Sequence, residues 1–374
     1  MKLIREHLCC NSTAAYSLFT RVRMSDLRFR LHSITDQAKA IHDLYVELRM
    51  KRWLCGLSLL LAMVILITGC GKQKINSDGV SAHGQLVVRD GILTDAHGEP
   101  FQLRGLSTHG IAWYPQYINA GSFQSVKDAG GNVLRIAMYT DTENGYLADP
   151  ETNTAWMLQA IENARALDMY VLVDWHILSD GDPNADLDAA ITFFDAIAGR
   201  YPGDPAILYE ICNEPNGVDW EAIQSYAYAI FPVIRQYSPD AVIILGTPDY
   251  SGDLRQPLLH PFPGENFLYA YHFYAGLHPD YNLLEYAVEH RLPVMVSEWG
   301  IDYDEAGTPA LDAGREFADY MNTHGISWCA WSLCNKDEVY SVLQPDCSAL
   351  SNWQDADLTE TGRVIFRALR GSET

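Results

Sequence analysis

The chain has 374 residues, 48% hydrophobic and 11% aromatic, enough to bury one large α/β core or two ordinary ones. Its formal net charge of −22 is uneven: residues 1–70 carry ten Lys/Arg and five Asp/Glu, and the rest holds 16 basic and 43 acidic residues. That acidic body argues against nucleic acid and anionic membrane surfaces as ligands and favours a neutral substrate.

In chain order, residues 1–49 come first. Leu27, Leu31, Ile34, Ile41, Leu44 and Leu48 have helical spacing there, compatible with a cytoplasmic helix. The basic segment Met50-Lys51-Arg52 and the small or apolar run 54–68, closed by Gly69-Cys70, have the layout of a secretory signal. The run is shorter than the roughly 20 residues that span a bilayer. Met50 is therefore the expected true start, with 1–49 a mis-assigned extension and 50–70 the signal. Ile67-Thr68-Gly69-Cys70 resembles a bacterial lipobox, which implies lipidation of Cys70 and export to the cell surface or periplasm. A plain signal or short anchor with an incidental Cys is the alternative. A linker over 71–84 and one catalytic domain over 85–371 follow.

Asp90-Gly91 and His97-Gly98 flank short alternating runs, which predicts a small β-hairpin ahead of the main domain. Apolar runs then recur at 102–106, 133–137, 170–173, 207–211, 242–245, 267–270, 294–296 and 327–330. Helical periodicity separates many of them, at 155–167, 187–200, 220–237, 283–290 and 310–324. Eight strands alternating with helices predict an α/β fold, a closed (β/α)₈ TIM barrel. A doubly wound sheet shares the alternation, but no glycine-rich nucleotide fingerprint follows the first strand.

In such a barrel the C-terminal strand ends converge on one face, which carries the active site. Those ends read Ser107-Thr108-His109, Asp174-Trp175-His176, Asn213-Glu214, Tyr271-His272-Phe273-Tyr274, Ser297-Glu298-Trp299 and Trp331-Ser332, with Arg135 inside the second strand. The fifth strand, ending Gly246-Thr247, contributes least. Glu214 and Glu298 end strands four and seven. A carboxylate at the end of a buried strand either lies at a functional mouth or needs a partner to offset its desolvation. Two facing carboxylates are what glycosidic bond cleavage requires: one protonates the leaving oxygen and the other attacks or activates water.

The stretches "NEPNG", "YHFYA", "VSEWG", "LRIAMYT", "LVDWH" and "AWSLCNKDE" resemble glycoside hydrolase family 5, particularly its bacterial endo-β-1,4-glucanases, over about residues 85–370. The resemblance implies a retaining mechanism with Glu214 as acid/base and Glu298 as nucleophile. It implies that Arg135 holds the nucleophile ionised and that Asn213 grips a sugar 2-hydroxyl. His176, His272 and Tyr274 would form the polar cluster around the two acids. His109, Trp113, Tyr139, Trp331, Lys336 and Glu338 would bind sugar. Trp175 and Trp299 are expected to pack, as are the helical aromatics Phe193, Phe194, Tyr226 and Tyr228.

The resemblance further implies a β-glucan substrate, no cofactor, no metal and a monomer that meets a membrane only through its N-terminal anchor. β-Mannanase, xylanase or xyloglucanase activity would use the same barrel with different loops. A silent carbohydrate-binding protein and a metal-dependent hydrolase using Asp174, His176, Glu214 and Glu298 are the rivals from other classes. The latter lacks the His-x-His strand signal common in metal barrels. Of eight cysteines, Cys9, Cys10, Cys55 and Cys70 belong to the leader, and no spacing matches a zinc site. Cys212 and Cys329 read as buried thiols, and in an exported domain Cys334 and Cys347 could close a surface loop as a disulfide.

Overall fold

The structure, a computed structural model, describes residues 78–278 and 280–371. The expectations for the extension, the signal and Cys70 lie outside these residues. At the start of the described chain, Val80–His83 forms a helical turn whose Ser81 backbone N–H and hydroxyl both bond Asp168.

The predicted hairpin is present as β1 (Val87–Arg89) and β2 (Ile92–Thr94), antiparallel with Val88 opposite Leu93. Asp90 and Gly91 both have positive φ, as the tight turn requires. A Cβ on Gly91 would lie 2.2 Å from the Arg291 carbonyl oxygen, so this turn is reserved for glycine. Leu86, Leu93 and Phe101 pack with Leu103, Val133, Tyr170 and Leu208, so the hairpin plugs one end of the barrel.

Eight parallel strands close that barrel: β3 (Arg104–Thr108), β4 (Val133–Tyr139), β5 (Tyr170–His176), β6 (Ile207–Glu210), β7 (Ile243–Leu245), β8 (Phe267–Ala275), β9 (Val294–Ile301) and β10 (Trp328–Leu333), with β10 pairing β3. The helices of eight residues or more are α1 (Ala120–Asp128), α2 (Pro150–Ala166), α3 (Leu187–Arg200), α4 (Trp220–Arg235), α5 (Asn282–Glu289), α6 (Leu311–His324) and α7 (Glu360–Leu369). Between β7 and β8 the chain makes a left-handed turn at Pro248–Ser251 and a short helix at Arg255–Leu259. Helix α2 starts earlier than its apolar period suggests, because Asp149 caps Thr152 N–H and Pro150 opens the first turn.

Several strands outrun their apolar stretches. Strand β8 reaches Ala275 and β9 reaches Ile301, since the polar residues there find partners inside the barrel and the ladder continues. Between β8 and β9 the register shifts: Ala270 faces Met295, but His272 faces Glu298. Strand β9 thus carries one extra residue, a bulge. Strict alternation would send Ser297 and Glu298 to opposite faces, whereas both make side-chain bonds to interior groups.

Trp175, Trp299, Phe193, Phe194 and Tyr226 are fully buried, as expected. Tyr228 is not: it lies on the outer face of α4 and is 56% exposed. The disulfide expectation also fails. Cys334 and Cys347 are free thiols. Cys334 Sγ is engaged with the Ser332 and Ser341 hydroxyls, and Cys347 Sγ donates to the Ala349 carbonyl. Cys212 and Cys329 are buried thiols.

Candidate active site

The C-terminal face holds a cleft of about 530 Å³ lined by Glu214 and Glu298 among others. One oxygen of each carboxylate lies within 4.8 Å of the other, with His272 in the same group. That spacing belongs with the short carboxyl separation, about 5–5.5 Å, of enzymes that retain configuration, since inversion needs room for a water.

The two carboxylates are held differently. Glu298 accepts from Arg135 Nη1 at 2.8 Å on one oxygen and from the Tyr274 hydroxyl at 2.6 Å on the other. Its side chain is 6% exposed, against 24% for Glu214. Among the described residues the Glu214 carboxylate has one hydrogen-bond partner, His272 Nδ1 at 2.9 Å on one oxygen. Glu298 is therefore held on both oxygens, whereas Glu214 is held on one and keeps the other toward the cleft.

Arg135 organises the floor. It is fully buried, and each of its five N–H groups faces a partner. Nε bonds Glu210 at 2.6 Å, Nη1 bonds Ser107 at 3.3 Å and Glu298 at 2.8 Å, and Nη2 bonds Asn213 at 2.8 Å and approaches Asp174 at 3.1 Å. Burial pushes the Glu210 carboxyl up, but Arg135 and His272 outweigh it and hold the group at about 2. Asp174 goes the other way: burial, with Glu210 and Glu298 nearby, raises it well above the usual carboxylate range despite Arg135. Asn213 turns its oxygen to Arg135 and one amide hydrogen to the Ile177 carbonyl, leaving one hydrogen for a ligand.

His176 donates or accepts at 2.7 Å with Asp174 and stacks on Trp331 at 5.2 Å. Burial and then Arg135 hold its ring neutral, down at about 3. His109 sits among Trp113, Tyr114, Tyr139 and Trp331, and is likewise pushed down to about 3, first by burial and then by Lys336. Both are neutral packing and hydrogen-bonding groups rather than proton carriers at ordinary pH.

The structure gathers His109, Tyr139, Glu214, His272, Tyr274, Glu298, Trp331, Lys336 and Glu338 on the cleft wall. Arg135, Asn213 and His176 lie beneath it, among the buried groups. Trp113 stands further out, 44% exposed, with its indole N–H on the Glu143 carbonyl and its ring stacked at 5.9 Å on His109. Lys336 and Glu338 pair at 2.6 Å. Two trios bring ligand-type atoms within 4.8 Å of one another, Glu214–His272–Glu298 and His109–Cys334–Glu338. In the first, Glu214 bonds His272 and Glu298 bonds Arg135; in the second, Glu338 pairs with Lys336 and Cys334 Sγ is engaged with the Ser332 and Ser341 hydroxyls.

Sequence reasoning missed three groups. Glu210 lies inside an apolar run and was read only as part of it; its parity with Leu208, which packs in the barrel interior, was the available signal. Tyr250 lines the cleft, 55% exposed, on a segment where Asp249, Tyr250 and Ser251 all have φ near +59°. Three consecutive non-glycine residues in that region have no sequence signature. Tyr340 joins the wall from the loop after β10, with its hydroxyl on Asp302 at 2.8 Å.

The profile of the cellulase family, glycosyl hydrolase family 5, matches residues 94–337. An endoglucanase of Clostridium saccharobutylicum is 37% identical over 326 residues, 85% of this chain and 72% of the relative. Endoglucanase A of Butyrivibrio fibrisolvens is 40% identical over 306 residues, 78% of this chain and 70% of the relative. The catalytic domain of Thermobifida fusca endoglucanase Cel5A superposes with a TM-score of 0.74 at 37% identity, covering 78% of this chain and 99% of that domain. A variant of the same domain in complex with cellotetraose superposes at 0.73.

Proposed function

Because the chain belongs to the cellulase family, glycosyl hydrolase family 5, we propose that it is an endo-β-1,4-glucanase that cleaves with retention of configuration. The observation that carries this reading is the pair of glutamates within 4.8 Å, one clamped by Arg135 and Tyr274 and the other free on one oxygen. Glu298 attacks the anomeric carbon while Glu214 protonates the departing oxygen, forming a covalent glycosyl-enzyme. Glu214, now a carboxylate, takes a proton from the water that hydrolyses that intermediate. Arg135 and Tyr274 keep Glu298 charged and aimed before attack and receive its carboxylate again after hydrolysis.

Trp331, His109, Lys336, Glu338 and Tyr250 line the cleft with the two acids, and Trp113 stacks on His109. Ring faces there suit pyranose faces, and the Lys336–Glu338 pair offers donors and acceptors for equatorial hydroxyls. The acidic body suits a neutral polymer. The purified protein is expected to cut carboxymethylcellulose and mixed-linkage β-glucan internally, with mannan slower. Faster cleavage of mannan than of any glucan in such a panel would overturn the choice of substrate.

We further propose that Met50 is the translation start and that Cys70 is lipidated, tethering the domain outside the inner membrane; the support is the basic, apolar and Gly-Cys sequence of 50–70. Intact mass spectrometry of the membrane fraction should give a mature protein beginning at lipidated Cys70. A mature protein retaining residues 1–49 would rule out both proposals.

A further inference from the structure

Glu210, the last residue of β6, lies outside the substrate cleft, yet it is tied to both glutamates. One oxygen accepts from Arg135 Nε at 2.6 Å, and the other accepts the Ser297 hydroxyl at 2.6 Å. A hydroxyl has one hydrogen to give. With that hydrogen committed to Glu210, Ser297 Oγ can only accept from its other neighbour, His272 Nε2, at 3.1 Å. The ring orientation follows: Nε2 carries a hydrogen, and Nδ1 faces Glu214 at 2.9 Å.

We propose that Glu210 is a positioning residue for proton transfer: through Ser297 it fixes His272 with hydrogen on Nε2 and Nδ1 toward Glu214, and it sets a carboxylate 3.7 Å from that ring. The proposal rests on Glu214 being the acid/base. When Glu214 gives its proton to the glycosidic oxygen, the new carboxylate meets a hydrogen-bonding cation already in place. When Glu214 takes a proton from water in the second step, His272 keeps both of its own, so the ring changes no charge over the cycle. Glu210 acts on His272 through Ser297 as the orienting partner does on a ligating histidine.

The charges around the ring favour this. Glu210 and Glu214 face it from β6 and the loop that follows, and Ser297 and Glu298 face it from β9. Asp174 on β5 shares the same field, and Tyr274 on the ring's own strand bonds Glu298. Arg135 on β4, the buried guanidinium of the cluster, is already paired with Glu210 and Glu298. Burial alone would lower the His272 pKa, but the Glu210 carboxylate 3.7 Å from Nε2, the bond to Glu214 at Nδ1 and the Glu298 charge raise it to about 10. The bulge in β9 makes the chain possible, since it lets Ser297 and Glu298 both reach inward.

The test is nitrogen NMR of the histidine-labelled full chain, with parallel kinetics on glucan and on an aryl cellobioside with an activated leaving group. In the parent protein His272 should remain an imidazolium through pH 8. In Glu210→Gln its titration should fall by at least about one pH unit. Activity on glucan should fall about 10–100-fold more than on the activated glycoside, with KM little changed, a share of the 10²–10⁴-fold that general acid help is worth. If Glu210→Gln fails to fold, Ser297→Ala cuts the same chain while leaving the Arg135–Glu210 pair, and should lower the His272 titration in the same direction. A folded variant with reduced melting temperature but an unshifted His272 would overturn the proposal, leaving Glu210 a structural charge. A shifted His272 without any leaving-group dependence would support the coupling and count against Glu214 as the acid.

Discussion

Glu298→Gly is expected to abolish turnover of glucan and aryl glycosides alike, a loss on the order of 10⁴–10⁶, the scale of breaking a nucleophilic unit. Glu214→Ala is expected to divide the substrates. An activated aryl group leaves without much protonation, so glycosylation survives and the covalent intermediate accumulates; glucan, a poor leaving group, suffers the full general-acid loss of about 10²–10⁴-fold. The asymmetry follows from what surrounds each acid. Glu298 keeps both oxygens on Arg135 and Tyr274, whereas Glu214 keeps one on His272 and turns the other to the cleft. Steady-state rates on the two substrate classes, with a pre-steady-state burst of aryl alcohol for Glu214→Ala, check this. Equal losses for both variants on the activated glycoside would remove the distinction.

Arg135→Met is the second large effect. The guanidinium is buried against Glu210, Asp174 and Glu298. Removing one partner of a buried ion pair costs about 3–5 kcal/mol, because the charges left behind have lost both solvent and counter-charge. The same change withdraws a donor from Glu298, and loss of one preorganised electrostatic contact costs about 10²–10³-fold in kcat. Arg135→Lys retains the charge but cannot reproduce the planar fork, so it should fall between Met and the parent in both measures. Denaturant melts with kcat on an aryl cellobioside read the two effects separately. A Met variant with an unchanged melt and rate would show that Arg135 is not the organising charge.

The barrel was legible because its strands are apolar runs and its helices amphipathic, and all eight strands fall where those runs lie. The strand ends were less so. An apolar run stops at the first polar residue, whereas β5 and β8 continue through Asp174, His272 and Tyr274, which find partners on other strands, and His176, which bonds Asp174. Glu214 and Glu298 stand out because each follows an apolar run and sits beside turn or aromatic residues. Glu210 did not, since one acid inside an apolar stretch is informative only when its inward face and the inward Arg135 are known together. The bulge at Ser297 is a departure from the two-residue alternation of a strand, and an apolar run does not reveal it. Tyr228 was assigned to the core from its helix alone; the apolar face of α4 is carried by Ile223, Tyr226, Ala227 and Ile230, and Tyr228 points away from it.

Azide rescue of the two glutamate variants, with the anomeric configuration of the product read by proton NMR, tests the assignment most directly. In Glu298→Gly the small anion can occupy the space of the lost carboxylate, beside Arg135 and Tyr274, and attack the β-glycoside from the opposite face; the account predicts an α-glycosyl azide. In Glu214→Ala the α-linked intermediate on Glu298 still forms, and azide enters from the Glu214 side; the account predicts a β-glycosyl azide and net retention. The same anomer from both variants, or α from Glu214→Ala, would contradict the roles of Glu214 as acid/base and Glu298 as nucleophile.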